Sequence, residues 1–219
     1  KYSPECACLP LKINVGNFIE AMEMGADTIV MAGGWGPCRF GYYAQVEREI
    51  LRDLGYCFDM VVLEAPDSKL SELLKQVKGI GENATLKEAY QAIKFAWFKL
   101  GEVEMLEKRL EYLLPRVIDQ NQIEQIYEAG VRGIDKAEDR SSVRMVRMDT
   151  IKHMDSLARH QRSILKIGLI GEIYTILEPS TNCHVARCLG RIGAEVSRSS
   201  YISDWVNDHL VGGLIKPSN

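Results

Sequence analysis

Six cysteines carry most of the chemistry this sequence can offer: Cys6, Cys8, Cys38, Cys57, Cys183 and Cys188. The densest setting is Gly33-Gly34-Trp35-Gly36-Pro37-Cys38-Arg39-Phe40-Gly41, which follows an apolar run with strand character and precedes a helical pattern. Glycines let the backbone approach a bound group, and free amides at a helix start attract negative charge. A thiol there, with Arg39 beside it, is well placed to act as a thiolate, whether nucleophile or metal ligand. The plainer alternative is a tight turn around a buried Cys. Cys8 sits in Cys6-Ala7-Cys8-Leu9-Pro10, also just ahead of a helix, with Pro10 where a first turn tolerates proline. The Cys-x-Cys spacing alone is weak evidence for metal. Cys183 and Cys188 flank His184 near a third helix start, where two small buried thiols are a simpler reading than a metal site. Cys57 opens a strand and is expected in the core.

Several familiar motifs are missing. The sequence has no Cys-x-x-Cys pair and no tight four-Cys run, which argues against a zinc ribbon, a thioredoxin site or a ferredoxin cluster. It has no Gly-x-x-x-x-Gly-Lys-Ser/Thr loop and no His-Glu-x-x-His. Gly168-x-x-Gly171-Glu172 after a strand is only a weak dinucleotide hint. The histidines, His153 and His160 among them, supply no general base or zinc trio. Trp35, Tyr42 and Tyr43 read as packing groups.

The elements that must position these residues fall into three sections. In residues 1–66, the stripe Leu11, Val15, Phe18, Ile19 and Met22 predicts a helix over 11–24, with Gly25 as its stop. Near-continuous apolar runs at 27–32 and 58–64 suit buried parallel strands, with a helix over 42–54 between them. Residues 67–165 are expected to be helical, over 68–77, 85–99, 102–129 (broken or kinked at Pro115) and 141–162. Thr85-Leu86-Lys87-Glu88 carries a capping box at one of these starts. From 166 to 219 alternation returns, with strands at 166–170 and 194–199 and helices at 184–192 and 201–210. That pattern reads as the opening of a second α/β domain.

The chain has 219 residues, 46% of them hydrophobic, enough to bury a core without disulfide staples. A formal net charge of −3 supplies no global field for nucleic acid or anionic lipid. No apolar run approaches the ~18 to 20 residues needed to span a bilayer, and the start carries no apolar signal core. A start without Met, directly on a dense motif, reads as a truncated or processed chain. The location expected is cytoplasmic, with reduced thiols.

The pieces Tyr2-Ser3-Pro4-Glu5-Cys6-Ala7-Cys8-Leu9-Pro10-Leu11-Lys12, Gly16-Asn17-Phe18-Ile19-Glu20-Ala21, Gly25-Ala26-Asp27-Thr28 and Gly36-Pro37-Cys38-Arg39-Phe40-Gly41-Tyr42-Tyr43 resemble the CoA-enzyme activase domain. That family is related to the 2-hydroxyacyl-CoA dehydratase subunits and the double-cubane cluster proteins. Gly171-Glu172-Ile173-Tyr174, Glu178-Pro179, Asn182 and Tyr201-x-Ser203-Asp204-Trp205 resemble the same family further on; the middle section matches only in general character. The resemblance implies an α/β protein with Rossmann/flavodoxin-like parallel-sheet segments flanking the helical middle. It implies an iron–sulfur cluster of the 4Fe-4S kind, with Cys8 and Cys38 as the first two ligands and Gly36, Arg39 and Gly41 lining the cofactor site. The family's third ligand lies in a Pro-Phe-x-Cys-like segment that this sequence lacks, and Cys183 and Cys188 come too early to match it.

The partner implied is a CoA-thioester dehydratase or reductase, or an ATP-dependent activase that feeds it one electron at low potential, and relatives pair as dimers around their clusters. Phosphate-binding loops are not found, so ATP hydrolysis is not assigned to this chain. The reading set against it is a cluster-free nucleotide- or CoA-binding regulatory module. A third is a structural partner domain whose cysteines only pack. No nucleic acid and no membrane partner is expected.

Overall fold

The computed structural model describes residues 2–33, 38–63, 70–80, 85–161 and 163–207. It is a mixed α/β chain in which helix predominates, and the described strands form two parallel two-stranded sheets. The chain divides into two compact units, Lys1–Ala92 and Ile93–Asn219. The helical middle from residue 93 and the last α/β segment thus belong to one unit.

In the first unit the order is α1 (Leu9–Glu23), β1 (Thr28–Ala32), a 3-10 turn (Arg39–Tyr42), α2 (Tyr43–Asp53), β2 (Asp59–Leu63) and α3 (Leu70–Ile80). Strands β1 and β2 pair in parallel from Thr28 opposite Asp59 to Ala32 opposite Leu63, and the Gly33 amide extends the ladder to the Leu63 carbonyl at 2.7 Å. Ile29 and Met31 alternate inward along β1 while Val30 faces out. They meet Leu11 and Val15 of α1 and Tyr43, Ala44 and Leu51 of α2 in one buried cluster. Gly25 and Gly55 each follow a helix with positive φ, the left-handed stop that glycine adopts without steric cost.

In the second unit, the rest of α4 (Leu86–Leu113) is followed by α5 (Gln120–Lys136), α6 (Arg140–Asp155), β3 (Leu165–Leu169), α7 (Ile173–Leu177), α8 (Val185–Arg191), β4 (Ala194–Arg198) and α9 (Ile202–Val206). Leu110, Leu113, Leu114, Ile123 and Met154 form one buried cluster, and Leu106, Ile134 and Val143 another. Asp119 and Asp139 cap α5 and α6 through their carboxylates. Strands β3 and β4 pair in parallel from Leu165 opposite Ala194 to Leu169 opposite Arg198.

Two helices expected on either side of Gly101 are one continuous helix. A mid-helix glycine costs only about 1 kcal/mol, and Glu102 and Glu104, both buried, hold that stretch through Arg147 and Ser203. The stop comes at Leu113 instead, because Pro115 cannot continue the hydrogen-bond ladder. The segment expected as a helix over 42–54 opens with the 3-10 turn before α2. No described helix is long and apolar enough to cross a membrane.

Candidate functional site

Cys8 is the N-cap residue of α1, and Cys38 holds the same position at the 3-10 turn that leads into α2. Neither thiol makes a capping hydrogen bond to its helix. The residues around Cys8 fold back on themselves: the Ala7 amide donates to the Pro4 carbonyl at 3.1 Å, and Lys12 Nζ donates to the Glu5 carbonyl at 2.8 Å. Arg39 Nη1 donates to the Cys6 carbonyl at 3.4 Å, which ties the start of the second motif to the turn of the first. Parallel pairing sets Ala32 and Leu63 side by side, so Cys38 follows the carboxyl end of the sheet, where open α/β sheets collect ligands. The bond to the Cys6 carbonyl brings Arg39, next to Cys38, to the turn that holds Cys6.

Burial distinguishes the two thiols. Cys8 is half-buried, against the cluster of Leu11, Val15 and Tyr43, whereas Cys38 is exposed. Arg39 is exposed, and Gly41 donates its amide to the Cys38 carbonyl at 3.3 Å. Gly36 and Trp35 lie outside the described residues. Of the neighbouring tyrosines, Tyr43 packs in the core with its ring edge-on to Phe40 at 5.4 Å, while Tyr42 stands in solvent.

The other cysteines depart from expectation. Cys57 is exposed: the strand starts two residues later, at Asp59, and leaves the thiol on the connection. Cys183 and Cys188 are exposed rather than buried. Cys183 and His184 both take left-handed backbone, with φ of 56° and 55°, as the chain turns sharply into α8. Among the described residues, no three His, Cys, Asp or Glu side chains come together as a metal-sized group.

Two polar features emerge that motif reading did not pick out. Glu47 is fully buried on the core side of α2, and neither carboxylate oxygen has a hydrogen-bond partner among the described residues. Its position was legible as the polar residue between Tyr43 and Leu51 on an apolar stripe. Arg198 is the second, at the end of β4, with a side chain only 4% exposed. Its Nη2 lies 2.8 Å from Glu107 Oε2 and its Nε lies 2.8 Å from Glu111 Oε1. The N–H bonds are not aimed at those oxygens, so the contacts are ion pairs rather than well-formed hydrogen bonds. Burial alone would lower the guanidinium's pKa, but the charges of Glu107 and Glu111 outweigh it and raise it. Tyr201 donates its hydroxyl to Glu111 Oε2 at 2.6 Å and lies under the Arg198 guanidinium at 4.4 Å. Strand alternation signals this inward arginine: Ala194, Val196 and Arg198 share the buried face of β4.

These features define a mixed α/β protein with a pair of thiols at two helix starts. Compared with known proteins, the chain matches no family model, no curated protein and no solved structure.

Proposed function

We propose that this chain is an iron–sulfur protein of the CoA-enzyme activase or 2-hydroxyacyl-CoA dehydratase kind, with Cys8 and Cys38 as two of the cluster's thiolate ligands. The observation that carries the reading is the Arg39-to-Cys6 contact, which draws the two cysteine motifs together at two helix starts. Thiolates suit iron, and helix-start amides favour the negative charge a thiolate-bound cluster carries. Neither thiol is committed to capping its helix, so both are free to ligate. Two thiolates are half of the usual four. When bound, the cluster would supply one-electron transfer at low potential to or within a CoA-thioester enzyme of the cytoplasm.

The roles of this chain's own residues follow from the same frame. Gly41, in the turn after Cys38, keeps the backbone close to the bound group. Arg39 ties the two motifs together and adds a positive charge beside them. The parallel pairs β1–β2 and β3–β4 are read as segments of two Rossmann/flavodoxin-like domains flanking the helical middle. The partner is a CoA-thioester dehydratase or reductase, or the ATP-dependent activase that reduces it, and two copies of the chain pair around the cluster.

The test is anaerobic reconstitution of the full chain with iron and sulfide, beside the Cys8→Ser/Cys38→Ser variant. A charge-transfer absorption band with bound iron in the wild type, both lost in the variant, supports the reading. Equal iron uptake by the two proteins refutes these ligands. No uptake by either, with tight CoA or ATP binding by the iron-free chain, would establish the cluster-free regulatory module in its place.

A further inference from the structure

Glu47 sits where an apolar side chain belongs. It follows Tyr43 and Ala44 by one turn of α2 and precedes Leu51 by another, and all four residues are buried. Its three hydrophobic neighbours on that stripe, Tyr43, Ala44 and Leu51, meet Leu11 and Val15 of α1 in the core of the first unit. The carboxylate is fully buried, and neither oxygen has a hydrogen-bond partner among the described residues. An ionised carboxylate without partners in such a place is far costlier than a neutral one. Among the described residues, no Lys or Arg compensates it. The Asn14 amide on α1 is the one polar side chain that bears on it, and it falls short of a hydrogen bond.

We propose that Glu47 is a proton switch on the docking of α1 against α2: as a neutral acid it lets the two helices close, and its ionisation favours their separation. Glu47 can shed its proton cheaply only by reaching water, and lifting the α1 face that carries Asn14 would admit it. The titratable groups packed on the same cluster are Cys8 at the head of α1, Tyr43 on α2 and Tyr56 beyond its end. The charged side chains of the packed elements, Lys12, Glu20 and Glu23 on α1, Arg39 on the 3-10 turn and Asp59 on β2, are all exposed, and β1 carries no charge. The switch therefore works through desolvation rather than through a nearby charge. Burial raises the Glu47 pKa from 4.5 to about 7, with the Asn14 amide opposing the rise. A raised carboxyl pKa makes closure strongest in acid and weakens it as pH climbs from the open-state value to the closed-state value, with no further loss above that. This inference does not depend on the cluster reading.

Hydrogen exchange of the α1 amides in the full chain, wild type beside Glu47→Gln, tests it. After correction for the intrinsic rate, wild-type α1 is expected to lose roughly 70-fold of its protection between pH 5 and pH 8. The glutamine side chain cannot ionise, so the variant should lose none of that increment even if it is uniformly less stable. The same pH dependence in both proteins overturns the proposal. Difference infrared spectroscopy is the second reading. A protonated-carboxyl band present at pH 6 in the wild type and missing in the variant supports a neutral Glu47, and no such band refutes it.

Discussion

Replacing Arg198 by methionine should strongly destabilise the second unit. The side chain is 4% exposed and pairs with two carboxylates, of which Glu111 is 11% exposed and Glu107 is 29% exposed. Methionine restores most of the volume but leaves both acids without a cation. Removing one partner of a buried ion pair costs about 3–5 kcal/mol, most of it the desolvated charge left behind. Here the lower end applies, about 3 kcal/mol, because Glu107 can turn toward water and Glu111 keeps the Tyr201 hydroxyl. The loss should also depend on pH. Burial already holds the Glu111 carboxyl above its usual range, with Tyr201 and Arg198 opposing that rise. Without Arg198 the carboxyl moves higher still, so the variant recovers part of its deficit as the pH falls and Glu111 takes up a proton. Urea unfolding followed by far-ultraviolet circular dichroism at pH 5 and pH 7 measures both effects. The companion is Arg198→Met with Glu107→Gln and Glu111→Gln, which should regain most of the stability because no unpaired charge remains. A loss under about 1 kcal/mol, or a triple variant no better than the single one, would show that the triad is not held by charge.

Helix ends and glycines give two further tests. Asp139 accepts hydrogen bonds from the Ser141 and Ser142 amides at 2.8 and 2.9 Å, and Asp139→Ala should lower stability. The Ser142 hydroxyl and amide hold the Asp139 carboxyl below its usual range, so the cap's contribution is present above the unfolded pKa and lost as pH falls through the folded one; unfolding curves at pH 7 and in acid check this. Gly101→Ala and Gly190→Ala should move stability in opposite directions. A Cβ at Gly101 meets nothing within 4 Å inside α4 and should gain about 0.5–1 kcal/mol, whereas one at Gly190 would lie 2.6 Å from Leu114 Cδ2 and should cost about 1–3 kcal/mol. Thermal unfolding of both variants reads the contrast.

How far the fold could be read in advance depends on where local and tertiary forces agree. Strands β1 and β2 are short apolar runs between turn signals, and α1 and α2 carry period-3.6 stripes, so their place in the chain was legible within a residue or two. Gly101 was misread because its local cost is small beside the ion pair that Glu102 makes with Arg147 from α6, at 2.7 Å. Pro115 was read correctly as a break because its missing amide is a covalent fact that no tertiary contact repairs. Thiol burial was the weak point. Cys57, Cys183 and Cys188 were expected inside on their average behaviour, yet each sits on a connection or an outer helix surface.

The candidate site divides along the same line. Cys8 and Cys38 were found because turn grammar marks them locally, by Pro10 on one side and the glycine run on the other. That the two motifs meet could not be read, since it rests on one long-range bond from Arg39 to the Cys6 carbonyl. The buried charges divide differently. Arg198 was legible in principle from the alternation of β4, but its two carboxylate partners come from 87 and 91 positions earlier, on α4 (198 − 111 and 198 − 107). Glu47 is the reverse case, plain on the helical wheel of α2 and conspicuous for having no hydrogen-bond partner among the described residues. A paired buried charge such as Arg198 can be explained by the packing that surrounds it. An unpaired one works against that packing, which is why Glu47, and not the better-connected triad, should answer to a change of pH near neutrality.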